Sequence, residues 1–220
     1  MAVIWRIKNR IKIFKGAEGR AISEEEIRLA EEYDSQLRKK MEEIAQVLEK
    51  KGFFRERNTL KKWHMLGREL QFLDNFELRK KCDPEMKYTW RALLDISTRL
   101  APSQKLPRDR ERLEGRRNHF YMCYILGKFD LEKVIQFTWS EWNDIFMSFS
   151  PEMWRDGERL LEWLISRSRE NGKVSREKLR KALKALRSVC GERATKPVLT
   201  QVLSKEELYE LLDKSLSKFR

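Results

Sequence analysis

No apolar run in the sequence approaches the length needed to cross a bilayer, and the three cysteines, Cys82, Cys123 and Cys190, stand far apart without C-x-x-C spacing. The first absence excludes a membrane-spanning helix. The second excludes a disulfide framework, and an odd, scattered set points to a reducing, cytoplasmic compartment. From Met1 to Lys15 bulky apolar residues alternate with cations too densely for a signal peptide. Also missing are a Walker loop, a G-x-G-x-x-G after a strand, a G-x-S-x-G elbow and any zinc-ligand spacing, so no cofactor and no metal is expected. His119 and Cys123 stand at i,i+4, but two ligands alone do not hold a metal.

What is abundant is charge. Of 220 residues 38% are charged, with 48 Lys and Arg against 35 Asp and Glu, and 40% are hydrophobic, enough for a real core. The excess is segregated along the chain. Residues 1 to 20 carry six basic residues against Glu18, and residues 105 to 128 carry seven against Asp109, Glu111 and Glu114. Residues 167 to 196 carry eleven against Glu170, Glu177 and Glu192. Charge concentrated in this way is the footprint of a polyanion-binding surface.

Helix punctuation is dense, and the pattern predicts an all-α multi-helix bundle of nine or ten helices with no confident strand. Ser23 to Glu26 reads as a capping box opening a helix that stops at Gly52; Thr138 to Glu141 and Ser204 to Glu207 read the same way. Asp83-Pro84 predicts a cap followed by proline at the first helical position, and Ser150-Pro151 repeats the device. The chain divides into three regions: a basic N-terminal helix or arm (1–20), a helical hairpin region (21–101), and a basic, Trp-rich helical domain (107–220) beyond the proline-containing stretch Ala101 to Pro107. In the last, Trp139, Trp142, Trp154 and Trp163, with Phe137, Phe146 and Phe149, have the spacing of core anchors.

The sharpest candidate site is C-terminal. An amphipathic helix around Arg159 to Ile165 breaks at Asn171-Gly172 and restarts at Ser175. The second helix puts Leu179, Ala182, Leu183, Leu186 and Val189 on one face, and Arg176, Arg180, Lys181, Lys184 and Arg187, flanked by Lys173 and Lys178, on the other. That is the layout of a helix-turn-helix DNA reader. A second cluster, Arg108, Arg110, Arg112, Arg116 and Arg117 followed by Asn118, joins phosphate-matching guanidinium forks to an amide able to bond a base edge. Arg6, Lys8, Arg10 and Lys12 around a narrow apolar stripe form a further grip.

Four short motifs carry a family resemblance: Trp63-His64-Met65-Leu66-Gly67-Arg68, then Arg117-Asn118-His119-Phe120-Tyr121-Met122, then Thr138-Trp139-Ser140-Glu141-Trp142-Asn143-Asp144-Ile145-Phe146, and lastly Asn171-Gly172-Lys173-Val174-Ser175-Arg176. In order and character they resemble the helical N-terminal domain found ahead of PDDEXK nuclease domains in bacterial proteins of the YhcG type, over residues 60 to 186. The resemblance implies a DNA-directed accessory domain of defence or mobile-element systems. No nuclease domain follows here, so cutting is not carried over.

These residues point to a non-catalytic, phosphate-gripping nucleic-acid-binding protein, DNA or RNA, working with other protein subunits in a defence, CRISPR-like or mobile-element complex. Two alternatives stand beside it. Arg57-Asn58 with His64, spaced one residue longer, resembles the Arg-polar-x(4)-His pattern of HEPN-type ribonucleases, and Arg112 with His119 has the same spacing but lacks the polar residue after the arginine. The long helix could also dock a protein partner through Ile27, Ala30, Tyr33, Leu37, Met41, Ile44 and Leu48.

Overall fold

A computed structural model describes residues 23–83, 86, 89, 90, 93, 120–149, 153–191 and 203–219. These residues are almost wholly helical, and the fold is all-α. The chain divides into two compact units, residues 1–58 with 62–128, and residues 59–61 with 129–220. The expected linker, Ala101 to Pro107, lies outside the described residues.

In the first unit, helix α1 (Glu24–Lys50) opens as its sequence dictates. Ser23 Oγ accepts from the Glu26 amide and the Glu26 carboxylate accepts from the Ser23 amide, at 3.2 and 3.0 Å. The helix ends just before Gly52, whose φ of 78° only glycine adopts without strain. Its buried stripe, Tyr33, Leu37, Met41, Ile44 and Leu48, falls at three- and four-residue steps. α2 (Thr59–Leu70), a 3-10 turn (Gln71–Asn75) and α3 (Glu77–Cys82) come next, with α3 packed on α1.

Asp83 departs from expectation. Met86 has a left-handed φ of 58°, so no helix runs on through it, and among the described residues after Asp83 the helical ones up to 93 are 89, 90 and 93. The Asp83 carboxylate, 2% exposed, accepts from both the amide and the hydroxyl of Thr89 at 2.7 Å. Thr89 also bonds the buried Tyr33 hydroxyl at 2.5 Å.

Helix α4 (residues 120–126) crosses α2 at two glycines. A Cβ on Gly67 would overlap the Cys123 carbonyl, and one on Gly127 would overlap the backbone of Gly67. Gln71 Nε2 bridges the crossing by donating to the carbonyls of Gly67 and Tyr124, both at 2.8 Å. Backbone cannot yield as a flexible side chain can. Gly67→Ala is therefore expected to cost about 2–3 kcal/mol in urea unfolding, with Gly67→Leu failing to fold.

The second unit is built around α8 (Arg176–Gly191), which packs on α7 (Gly157–Ser168) and on α9 (Lys205–Leu216). Ahead of these come α5 (Leu131–Val134), α6 (Trp139–Phe146) and a 3-10 turn (Met153–Asp156). The capping boxes at Thr138 and Ser204 form as the sequence predicts. Trp142, Trp154 and Trp163 are core, as are Phe137 and Phe149, whereas Trp139 and Phe146 are half-buried. Two of the buried indoles find acceptors: Trp142 Nε1 donates to the Val134 carbonyl at 2.8 Å and Trp163 Nε1 to Asp213 at 3.0 Å. Asp213 also takes two donors from Arg167, tying α9 to α7.

Between α7 and α8 the chain does not make the plain turn expected. It forms a miniature antiparallel hairpin, β1 (Arg169–Glu170) with β2 (Lys173–Val174), pairing Arg169 with Val174 and Glu170 with Lys173. Asn171 and Gly172 both take positive φ, 50° and 78°, the turn whose twist matches that of paired strands. An Asn-Gly pair between extended residues is a strong local hairpin signal, and here it overrides the helical context.

An ionic cluster joins three elements of this unit. Lys133 pairs with Glu158 and Glu162, and Lys205 with Glu162 at 2.8 Å. Hydrogen bonds from Lys205 and then Lys133 hold the Glu162 carboxyl below its ordinary 4.5. A depressed folded value stabilises above 4.5 and is lost as pH falls through it. The melting-temperature gap between the parent and Glu162→Gln should therefore be widest above pH about 5 and narrow as pH falls below 4.5.

Candidate nucleic-acid interface

Helix α8 presents two opposed arcs. Leu179, Ala182, Leu183, Ala185 and Leu186 are buried against neighbouring elements, whereas Arg176, Arg180, Lys184 and Arg187 are exposed. Spacings of four, four and three residues put those four cations on one stripe. At 1.5 Å per residue it runs for about 16 Å. The buried arc is wider than the apolar spacing implied. It takes in Ala185, whose carbonyl accepts from the Ser215 hydroxyl of α9 at 3.3 Å, while Val189 is only half-buried.

The ends of the stripe are tethered to α6 and its C-terminal cap. Arg176 Nη2 donates to Ser140 Oγ at 3.3 Å and lies 3.8 Å from Asp144 Oδ2, an oxygen shielded from solvent that accepts no hydrogen bond. Arg187 Nη2 donates to the Met147 carbonyl at 3.1 Å. Arg187 keeps its full charge in that contact, whereas the charge of Arg176 is partly offset. Ser140, Asp144 and Met147 were not evident as site residues in the sequence. They lie 32 to 40 positions upstream of the arginines they hold, and no local pattern signals that pairing.

The seven candidate cations of this segment are not equivalent. Lys178 of α8 pairs with Glu170 of β1 at 3.1 Å, and Lys181 with Glu177 one turn away at 2.8 Å. The hydrogen bond from Lys181 is the principal cause of a lowered Glu177 carboxyl. Lys173, Arg180 and Lys184 are exposed and form no ion pair among the described residues. The free positive charge therefore centres on Arg180 and Lys184, extends to Arg187, and has an outlier at Lys173 on the hairpin.

The other candidates, Arg6, Lys8, Arg10, Lys12, Arg108, Arg110, Arg112, Arg116, Arg117 and Asn118, lie outside the described residues, as does His119. Arg57 and Asn58 occupy the irregular segment ahead of α2, and only His64 is on that helix. The pair thus does not share one helix, as the ribonuclease pattern requires. Cys123 is fully buried, and burial raises its thiol well above the ordinary range. Among the described residues no group of His, Cys, Asp or Glu could hold a metal ion, and no helix is long and apolar enough to cross a membrane. Of the seven apolar residues of α1 that could have docked a partner, five are consumed by the core of their own unit.

No family model, curated protein or solved structure matches the chain.

Exposed cations crowded on one face contribute little to folding, since their surroundings are water. Replacing both Arg180 and Lys184 by alanine should leave the unfolding free energy within about 0.5 kcal/mol of the parent, measured by urea titration.

Proposed function

We propose that the protein binds nucleic acid without catalysis, gripping phosphates through the exposed stripe of α8. The observation that carries this reading is the pairing pattern. Within a helix whose opposite arc is fully packed, Arg180 and Lys184 are exposed and, among the described residues, unpaired. They stand between two arginines held in place by hydroxyl and backbone oxygens. Guanidinium and ammonium groups without carboxylate partners gain most from a polyanion, because binding releases the counterions condensed on it. The clusters at Arg108 to Arg117 and Arg6 to Lys12 enter this reading as further phosphate contacts from the same chain. The resemblance to the YhcG-type helical domain supports a DNA-directed role in defence or mobile-element systems, alongside other protein subunits.

Fluorescence anisotropy of the full chain with labelled nucleic acid tests the reading. Affinity should fall by roughly 10³ between 50 and 200 mM salt if about six phosphates are neutralised. Arg180→Ala with Lys184→Ala should weaken binding at fixed salt and reduce the slope of log affinity against log salt by about two. Binding indifferent to salt, or a slope unchanged in the double variant, overturns the assignment of this stripe.

A further inference from the structure

The same stripe narrows the class of nucleic acid, and this narrowing rests on the phosphate-binding reading. Proteins that hold single strands combine a basic track with exposed rings on which unstacked bases lie. In the described part of the second unit cations are exposed while no ring is fully exposed, Trp139 and Phe146 of α6 being half-buried. Trp142, Trp154, Trp163, Phe137 and Phe149 are buried, and Trp142 and Trp163 spend their indole N–H groups on Val134 and Asp213. Among the described residues the large apolar side chain standing furthest out beside the stripe is Met147, 74% exposed, which offers no aromatic face.

Length points the same way. The stripe spans about 16 Å. The major groove of a DNA duplex is about 12 Å wide. Cations at Arg176 and Arg187 can therefore reach phosphates on both walls of one groove, with Arg180 and Lys184 between them. Depth argues against insertion. Reading base edges requires a helix to enter a groove about 8.5 Å deep, which needs a broad free surface. Here the arc from Leu179 to Leu186 is committed to packing, and Arg176 and Arg187 are tied sideways to Ser140 and the Met147 carbonyl. The exposed face bears neither Asn nor Gln, the residues that pair with adenine, and two of its three arginines, the side chains that pair with guanine, already donate to Ser140 and the Met147 carbonyl.

We infer that this surface takes double-stranded nucleic acid, crossing a groove from phosphate wall to phosphate wall without reading base edges.

Anisotropy titrations at fixed salt with a labelled duplex DNA of about 25 base pairs, the matching duplex RNA and each component single strand decide the matter. The expected result is at least tenfold tighter binding of one duplex than of its component strands, with unlabelled duplexes of unrelated sequence competing within about threefold. Arg180→Glu with Lys184→Glu should abolish that preference while the circular-dichroism melting curve stays that of the parent. Equal or tighter binding of the single strands, or a preference of about a hundredfold for one duplex sequence, overturns the inference and leaves the phosphate-binding reading standing. No binding to any of these probes overturns both.

Discussion

Burial of one arc of α8 is the constraint on which the rest of the second unit depends. Leu179, Ala182, Ala185 and Leu186 are fully enclosed, and so are Leu160, Leu161, Trp163 and Leu164 of α7 and Leu208 and Leu212 of α9. Removing that much apolar surface from water is what holds the three helices together. Once those positions are inside, helical geometry leaves Arg176, Arg180, Lys184 and Arg187 no place except the opposite edge. The candidate interface is thus a by-product of core packing, and its straightness comes from the helix.

Polar contacts then set direction and detail where apolar burial alone would not. Asp213 gathers the Trp163 indole and the Arg167 guanidinium, so α9 docks in one register on α7. Ser175 donates its amide to the Ser168 carbonyl at 2.8 Å, closing the hairpin across the Asn171-Gly172 turn and fixing where α8 begins. In the first unit the equivalent device is steric. Two glycines let backbones touch where any side chain would hold them apart, and Gln71 satisfies the carbonyls on both sides of the crossing.

Among the described residues of the second unit, cations fall into two populations with different consequences. Lys133, Lys205, Lys178 and Lys181 are spent on carboxylates of their own unit, and their contribution is modest local stabilisation, screened by water and salt. Among the described residues Arg180, Lys184 and Lys173 are not spent in this way. A formal excess of +13 says that free cations exist somewhere, and the pairing pattern locates some of them among the described residues.

Much of the architecture was legible because it is written in short-range physics. Capping boxes at Ser23, Thr138 and Ser204, the stop at Gly52, and the apolar steps of α1 and α8 involve residues within one or two helical turns, so the sequence alone determined them. Three features were not read from the sequence, and the first two of them are local. Asp83 bonds Thr89 six residues on, and Met86 between them is left-handed where Asp83-Pro84 pointed to a continuous helix. Asn171-Gly172 makes a hairpin where an interhelical turn was expected. The division of the α8 cations into paired and unpaired depends on Ser140, Asp144, Met147 and Glu170, and all but Glu170 are more than thirty positions distant. Local hydrogen bonding and helical periodicity are decided within a few residues, whereas the partner of a long, flexible cation is decided by whichever carboxylate or carbonyl the packed core brings within reach.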